Sequence, residues 1–272
     1  MKQGKVDLHI HTSASDGTWT AEEVVKKILE NDIKIFAITD HNSVENVEKA
    51  KDLASEAGLI LIPGVEVDTT YDGGNYHILG YGIDIYNEEL LKLLSVNTKI
   101  MENKDEESIK FLERKGLNVS LTDYKKYEND NTRGGWKALN YLIDRGICKS
   151  TKDFFPLFDG WGNPFDKTEF PSPKEVIEVI KKAGGIPILA HPGAPFYRLE
   201  YDAIVPAMFK EGIMGIECYH PENNLEVTKF SIDFCKCNRL FITGGSDCHG
   251  TFFTHRSLGK PSIFYDNIVL EL

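Results

Sequence analysis

Histidines and carboxylates carry the chemistry this sequence can perform. Of its eight histidines, seven fall at or beside the ends of strand-like segments: His9, His11, His41, His77, His191, His220 and His249. Acids stand with them, as His9-Ile10-His11 with Asp16, Asp40-His41, Glu66 in PGVEVD, Glu217 with His220, and Asp247-Cys248-His249. One histidine at a strand end is ordinarily a hydrogen-bonded structural residue. Seven of them, mostly flanked by Asp or Glu and clear of the strand interiors, point to a metal site. His9 and His11 stand two apart on a strand and therefore share a side, from which both imidazoles can ligate one ion at about 2.0–2.1 Å. Imidazole mixed with carboxylate suits zinc, iron or manganese better than calcium or magnesium. His255, in HRSLG, is expected to be structural or to support a ligand.

These residues are far apart in the chain, so a fold must gather them. Residues 5–9 read as a short apolar strand, and Thr20-Ala21-Glu22-Glu23 opens a helix as a capping box. The pattern repeats: a strand at 33–38, Asn42-Ser43-Val44-Glu45 as the cap of a helix that stops at Gly58, a strand at 59–65 and another at 76–83. Farther on, Ser172-Pro173-Lys174-Glu175 combines a serine cap with proline at the first helical position, and that helix ends at Gly184-Gly185. Strands at 186–190, 215–219 and 240–243 then alternate with helices near 201–211 and 222–237. Strands and helices in this rhythm imply an α/β protein with a parallel sheet, and seven strands are enough to close on themselves.

The expected fold is a distorted seven-stranded (β/α) barrel, with an open doubly wound sheet as the structural alternative. In a parallel barrel all strand C-termini lie on one rim, so the ligands would meet at its mouth. Residues 95–170 break the rhythm with helical patterns and no convincing strand. They are read as an inserted helical, substrate-capping subdomain, with residues 1–94 and 171–272 forming the metal-binding barrel.

Composition narrows the partners. The chain has 272 residues, 31 Lys and Arg against 42 Asp and Glu, and a net charge of −11; with 41% hydrophobic residues it can fill a sizeable core. It has no polybasic run, which argues against a grip on long nucleic acid or anionic membrane. No stretch of about 18 apolar residues is present, and the N-terminal MKQGKVDLHIHTS lacks a signal peptide's apolar run, so a cytoplasmic location is expected. The five cysteines are odd in number and lack C-x-x-C spacing, which predicts buried thiols rather than bridges. Nothing in the sequence speaks to oligomeric state.

Taken in order, DLHIHTSASDG, ITDHN, PGVEV, YHILGYG, AHPG and GSDCHG resemble the PHP (polymerase and histidinol phosphatase) family of metal-dependent phosphoesterases, across Asp7 to Gly250. The middle segment resembles the insertion of the branch that acts on small phosphorylated nucleotides and related esters. The resemblance implies the distorted seven-stranded barrel and a cluster of two or three divalent ions, manganese, iron or zinc. On this basis His9, His11, Glu66 and Asp247 hold one ion; Glu66 bridges to a second held by His77 and His191; Asp16, His41 and His249 hold a third. Two or three dications would also neutralise the carboxylates of Asp16, Glu66 and Asp247. Asp40 is expected to orient a neighbouring ring or backbone.

Ions about 3.5–4 Å apart can share a hydroxide at neutral pH and polarise the phosphoryl oxygens it attacks. The expected reaction is hydrolysis of a small phosphate ester: a nucleotide 3′,5′-bisphosphate, a cyclic phosphate or a sugar phosphate. His9, His11, Glu66, Asp247 and His191 are its expected catalytic residues, with His220 a candidate donor to the leaving group. Arg133 is the first candidate for binding a second phosphate and Arg198 another, with Lys137 and Lys167 weaker options. Relatives commonly carry Arg-Pro-His where this chain has Arg133-Gly134-Gly135, so the substrate is not transferable by motif alone. Trp136, Trp161 and Phe165 are expected to be the subdomain's core rather than base-stacking groups. Competing expectations are 5′–3′ exonucleolytic trimming of short RNA, metal-dependent C–N hydrolysis, and a non-catalytic sensor of a phosphorylated metabolite.

Overall fold

The computed structural model describes residues 4–270. The ends of the N-terminal stretch and of the last barrel segment, residues 1–3 and 271–272, lie outside the described residues. In chain order the elements begin with β1 (Lys5–Asp7), α1 (Ala21–Glu30), β2 (Ile33–Ile38), α2 (Val47–Glu56), β3 (Ile60–Tyr71) and β4 (Gly74–Tyr81). The helices α3 (Glu88–Arg114), α4 (Leu121–Lys126), α5 (Lys137–Asp144) and α6 (Thr151–Phe154) follow, with short 3-10 turns between them. The chain then returns to α7 (Pro173–Lys182), β5 (Ile186–Leu189), α8 (Tyr201–Glu211), β6 (Gly215–Tyr219), α9 (Leu225–Asn238), β7 (Phe241–Gly244) and β8 (Ile263–Phe264).

Local chemistry sets several helix starts. Thr20 accepts from the Glu23 amide while the Glu23 carboxylate accepts from the Thr20 amide, and Ser172 and Glu175 repeat this reciprocal cap. The expected Asn42 cap is not formed: α2 starts after Asn46. Asn42 is taken elsewhere, because its side-chain amide pairs with Asp68 at 2.5 Å and accepts from Asn97 at 2.8 Å.

The seven expected strands are all present, in one sheet ordered β7-β6-β5-β4-β3-β2-β1-β8. It is not wholly parallel. β4 runs antiparallel to both β3 and β5, and the added β8 is antiparallel to β1. The reason lies at Asp72-Gly73, two residues of positive φ that turn β3 straight back into β4. The sheet curls until its ends meet: the Leu8 amide donates to Gly244 O at 3.2 Å, Ile10 bridges Cys248, and Val269 exchanges two 2.8 Å hydrogen bonds with Ile242. Val6, Leu8, Ile35, Ile62, Leu79, Tyr81 and Ile188 fill the barrel interior, while separate apolar clusters pack the helices against its outside.

The helical segment grows out of the barrel through α3. Leu90, Leu93 and Leu94 of this helix belong to the barrel's outer core, whereas Ile109 and Leu112 belong to the core of the helical segment, so the helix runs through residue 95 without a break. Trp136, Trp161 and Phe165 pack among aromatic neighbours there: Trp136 meets Phe154 at 5.0 Å, and Trp161 stacks on Phe111 at 4.9 Å. The segment is tied to the mouth on two sides. Gly135 donates to Asp16 O at 2.8 Å, and Asn75, at the tip of the β3–β4 hairpin, donates to Phe165 O at 2.7 Å.

Candidate metal centre

Most strands deliver their donors to the mouth by ordinary alternation; after β1 it breaks, since Leu8 and its neighbour His9 both face inward. His9 and His11 follow β1 with Ile10 between them, turned the opposite way into an outer core. Glu66 and Asp68, also two apart, share the inward face of β3. His77 stands directly across from Asp68 in the β3–β4 register, so it reaches the mouth from the middle of its strand and not from its C-terminal end. His41, His191, Glu217, His220, Asp247 and His249 come from the C-terminal ends of β2, β5, β6 and β7 or the residues after them. Asn42, His191 and Asp247 hold positive φ, a backbone cost that concentrates at functional sites.

Glu66 is the hub, and its two oxygens face different histidines. Oε1 lies 2.9 Å from His191 Nε2 and 3.0 Å from His77 Nδ1. Oε2 lies 3.1 Å from His9 Nε2, 3.2 Å from His11 Nε2 and 3.4 Å from His41 Nδ1. Asp247 Oδ1 joins the second set, 3.1 Å from His11 Nε2. Asp16 lies 3.2 Å from His249 Nε2, on the flank beside His11 and His41. Donor atoms within 4.8 Å of one another form the groups His9–His11–Glu66–Asp247, His11–Asp16–His41–His249 and His41–Glu66–His77, among others.

Outside this ring, further residues aim the donors. Glu217 accepts at 2.9 Å from His9 Nδ1 and at 2.9 Å from the His191 amide, turning the Nε2 of His9 toward Glu66. Asp247 divides its oxygens: Oδ1 faces the cluster, and Oδ2 meets His220 Nε2 at 3.2 Å and the guanidinium of Arg256. The other nitrogen of His220 accepts from the Glu222 amide, so both of its ring nitrogens are engaged. Asp40 binds the loop carrying Asp16, accepting from the Thr12 amide, the Thr12 hydroxyl and the Ser15 hydroxyl.

Other sequence candidates lie farther out. Arg133 pairs with Asp144 at 2.8 Å and with Tyr127 inside the helical segment. Arg198 is exposed and packs along Gly73 and Gly74 of the hairpin turn. Lys137 lies over Tyr124 and Lys167 over Trp161. His255 is exposed, 3.6 Å from Glu222. Sequence reasoning named Glu217 without a role and passed over Asp68 and Arg256. Asp68 had a signal, its two-residue spacing from Glu66; Arg256 had none.

Electrostatics show what the cluster lacks. Burial disfavours charge on His11 and His77, but Asp247, Glu66 and Asp16 around the first, and Glu66 and Asp68 around the second, raise both to about 10. Burial likewise opposes ionisation of Glu66 and Asp247, yet surrounding imidazoles, with Arg256 beside Asp247, hold both well below the carboxylate range. His191, where burial dominates, falls to about 4. Five buried atoms, His11 Nδ1 and Nε2, His41 Nδ1, His191 Nδ1 and Asp247 Oδ1, have no hydrogen-bond partner despite crowded polar surroundings. Several donor and acceptor positions thus converge without pairing with one another. A divalent cation satisfies such a set, and nitrogen and oxygen donors in this mix fit a borderline or hard dication.

A barrel whose mouth gathers imidazole and carboxylate donors is the build of a metal-dependent hydrolase. The chain belongs to the PHP family: the PHP domain model matches residues 7–148. It is 32% identical over 256 residues to the Escherichia coli 5′-3′ exoribonuclease Rnm, covering 89% of this chain and 84% of that one. It is 27% identical over 262 residues to the Eggerthella lenta phosphoribosyl 1,2-cyclic phosphate 1,2-diphosphodiesterase, covering 90% and 94%. A solved structure from Bifidobacterium adolescentis, assigned as a metal-dependent phosphoesterase, superposes with a TM-score of 0.81 at 27% identity, covering 96% of this chain and 92% of that one. The protein is a metal-dependent phosphoesterase of this family. Among the described residues no helix is long and apolar enough to cross a membrane.

Proposed function

We propose that the protein hydrolyses a small phosphate ester, a nucleotide 3′,5′-bisphosphate, cyclic phosphate or sugar phosphate, with two or three divalent ions, manganese, iron or zinc, at the barrel mouth. The observation that carries this reading is the position of Glu66, with one oxygen turned to His77 and His191 and the other to His9, His11 and His41. In this reading His9, His11, Glu66 and Asp247 hold one ion, Glu66, His77 and His191 another, and Asp16, His41 and His249 a third. Bound there, such ions supply Lewis acidity toward phosphoryl oxygens and lower the pKa of water.

The chain's own residues supply order and dryness. Glu217 sets the tautomer and direction of His9, while Arg256 and His220 pull on one oxygen of Asp247 and leave the other facing the cluster. Asp40 fixes the loop that presents Asp16. The helical segment, tied to Asp16 and to the hairpin tip, walls one side of the mouth. Arg133 contacts substrate in this reading only by leaving Asp144. A cytoplasmic location accords with five free cysteines, four of them buried and Cys237 exposed.

Exonucleolytic trimming of short RNA from its 5′ end is the second reading, favoured by the likeness to the Escherichia coli exoribonuclease over most of the chain. Incubation of manganese-loaded protein with nucleoside bisphosphates, cyclic phosphates, sugar phosphates and short 5′-phosphorylated RNAs, with inorganic phosphate, ring-opened monoester and mononucleotide products resolved by chromatography, tests both. Release from the small esters supports the first reading, and stepwise mononucleotide release from RNA alone supports the second. No hydrolysis product from any of them contradicts the phosphoesterase reading as a whole.

A further inference from the structure

Beyond β5 the chain turns outward through His191 and reaches Phe196, whose ring stands at the rim of the mouth. Phe196 is 53% exposed, yet its ring centroid is only 5.5 Å from that of His77 and 5.6 Å from that of His191. Other exposed aromatic residues, such as Tyr86, Phe155, Phe209 and Phe264, have no ring contact with a histidine of the cluster among those described. Exposure alone is unremarkable for a phenylalanine; its place beside two candidate metal ligands is not.

The loop that carries the ring is also held in place. Its neighbour Tyr197 is buried, donating to Ala190 O at 3.2 Å and accepting from the His77 amide at 2.9 Å. The Tyr197 amide donates back to Ala194 O at 3.1 Å, and Pro195 fixes φ just before Phe196. An apolar flat surface is thus presented to water by a tied loop, so a ligand that covers it has little ordering cost to offset.

We propose that Phe196 is a specificity-determining residue that stacks on a nucleobase joined through its ribose to the phosphate at the His77–His191 side of the mouth. The inference rests on the phosphoesterase reading and narrows it from small phosphate esters to nucleotides. An aromatic face stacks on any base but gains far less from a bare sugar, so the expected preference is for nucleotides over sugar phosphates with little discrimination among bases.

The test compares adenosine 5′-monophosphate with ribose 5-phosphate, two ligands that share a phosphate and ribose and differ in the base. Calorimetric titration of manganese-loaded wild type, Phe196→Ala and Phe196→Tyr gives the affinity ratio without requiring turnover. Wild type is expected to bind the nucleotide more tightly, with that ratio falling about tenfold in Phe196→Ala and returning in Phe196→Tyr. An unchanged ratio overturns the inference. So does a parallel loss of both ligands, which indicates a structural role for the ring, or equal wild-type affinity for the two. Because binding is read separately from phosphate release, a wild type that hydrolyses nothing counts against the phosphoesterase reading and leaves this outcome to be judged by the ratio.

Discussion

Buried charge is handled in opposite ways in the barrel mouth and in the helical segment. In the segment, Lys104 and Asp105 are both buried, with Nζ 3.0 Å from Oδ1. The ammonium also lies 3.7 Å from the centre of the Phe165 ring, and Asp105 accepts from Tyr124 and from the Ala138 amide. One cation meets one anion there, so the charges cancel within the pair, although Lys104 Nζ and Asp105 Oδ1 themselves have no hydrogen-bond partner. At the mouth, Asp16, Glu66, Asp68, Glu217 and Asp247 crowd around imidazoles, and five lone-pair or N–H positions have no hydrogen-bond partner. The first arrangement is neutral within one ion pair. The second is offset by Arg256 beside Asp247 and otherwise by protons held on histidines, which bound dications would displace.

Substitutions should separate the two regions. The largest effect is expected for Glu66→Gln, which removes the charge shared by both sets of histidines. Phosphate release by manganese-loaded protein should fall on the order of a thousandfold or more, while metal-free thermal melts show the variant still folded. Activity within tenfold of wild type would mean that Glu66 is not the hub.

Proton competition comes next in size. His11 and His77 are raised to about 10 in the metal-free protein, so both carry protons at neutral pH and must shed them to ligate. Raising the pH through the neutral range should therefore tighten metal binding, by about tenfold per pH unit for each proton displaced. Chelator-competition titrations read this directly, and pH-independent affinity would contradict it.

Smaller effects are expected one layer out. Arg256→Met and Glu217→Gln leave every proposed ligand in place but loosen Asp247 and His9, so manganese affinity by calorimetry should drop about 10- to 100-fold. Affinities equal to wild type would make both residues bystanders. Lys104→Met should show the reverse pattern: roughly 3 kcal/mol lost from stability in denaturant titrations, because Asp105 is left buried without its cation, and manganese affinity changed by less than about threefold. A metal-binding defect in this variant would erase the contrast between the regions.

Much of the cluster was legible because metal ligation needs residue types that are otherwise rare at strand ends. His9-Ile10-His11 and Asp247-Cys248-His249 carry their geometry in their spacing. What escaped was direction. Asp72-Gly73 is a two-residue hairpin signal, but the alternation of strands with helices suggested parallel strands throughout, and β4 proved antiparallel. The same oversight hid Asp68, whose partner His77 is set by the hairpin register. Asn42 misled for a related reason: it has the chemistry of a helix cap, and only the fold reveals that Asp68 and Asn97 claim it first. Arg256 carried no local signal, since its role comes from a loop after β7 folding back on Asp247.

The central claim, that Glu66 is shared between neighbouring cation sites, is tested most directly by counting ions. Equilibrium dialysis against manganese, followed by elemental analysis of wild type and Glu66→Gln, should give about two to three ions per wild-type chain and at least one fewer in the variant. One ion or none in the wild type, or the same count in both proteins, would contradict it.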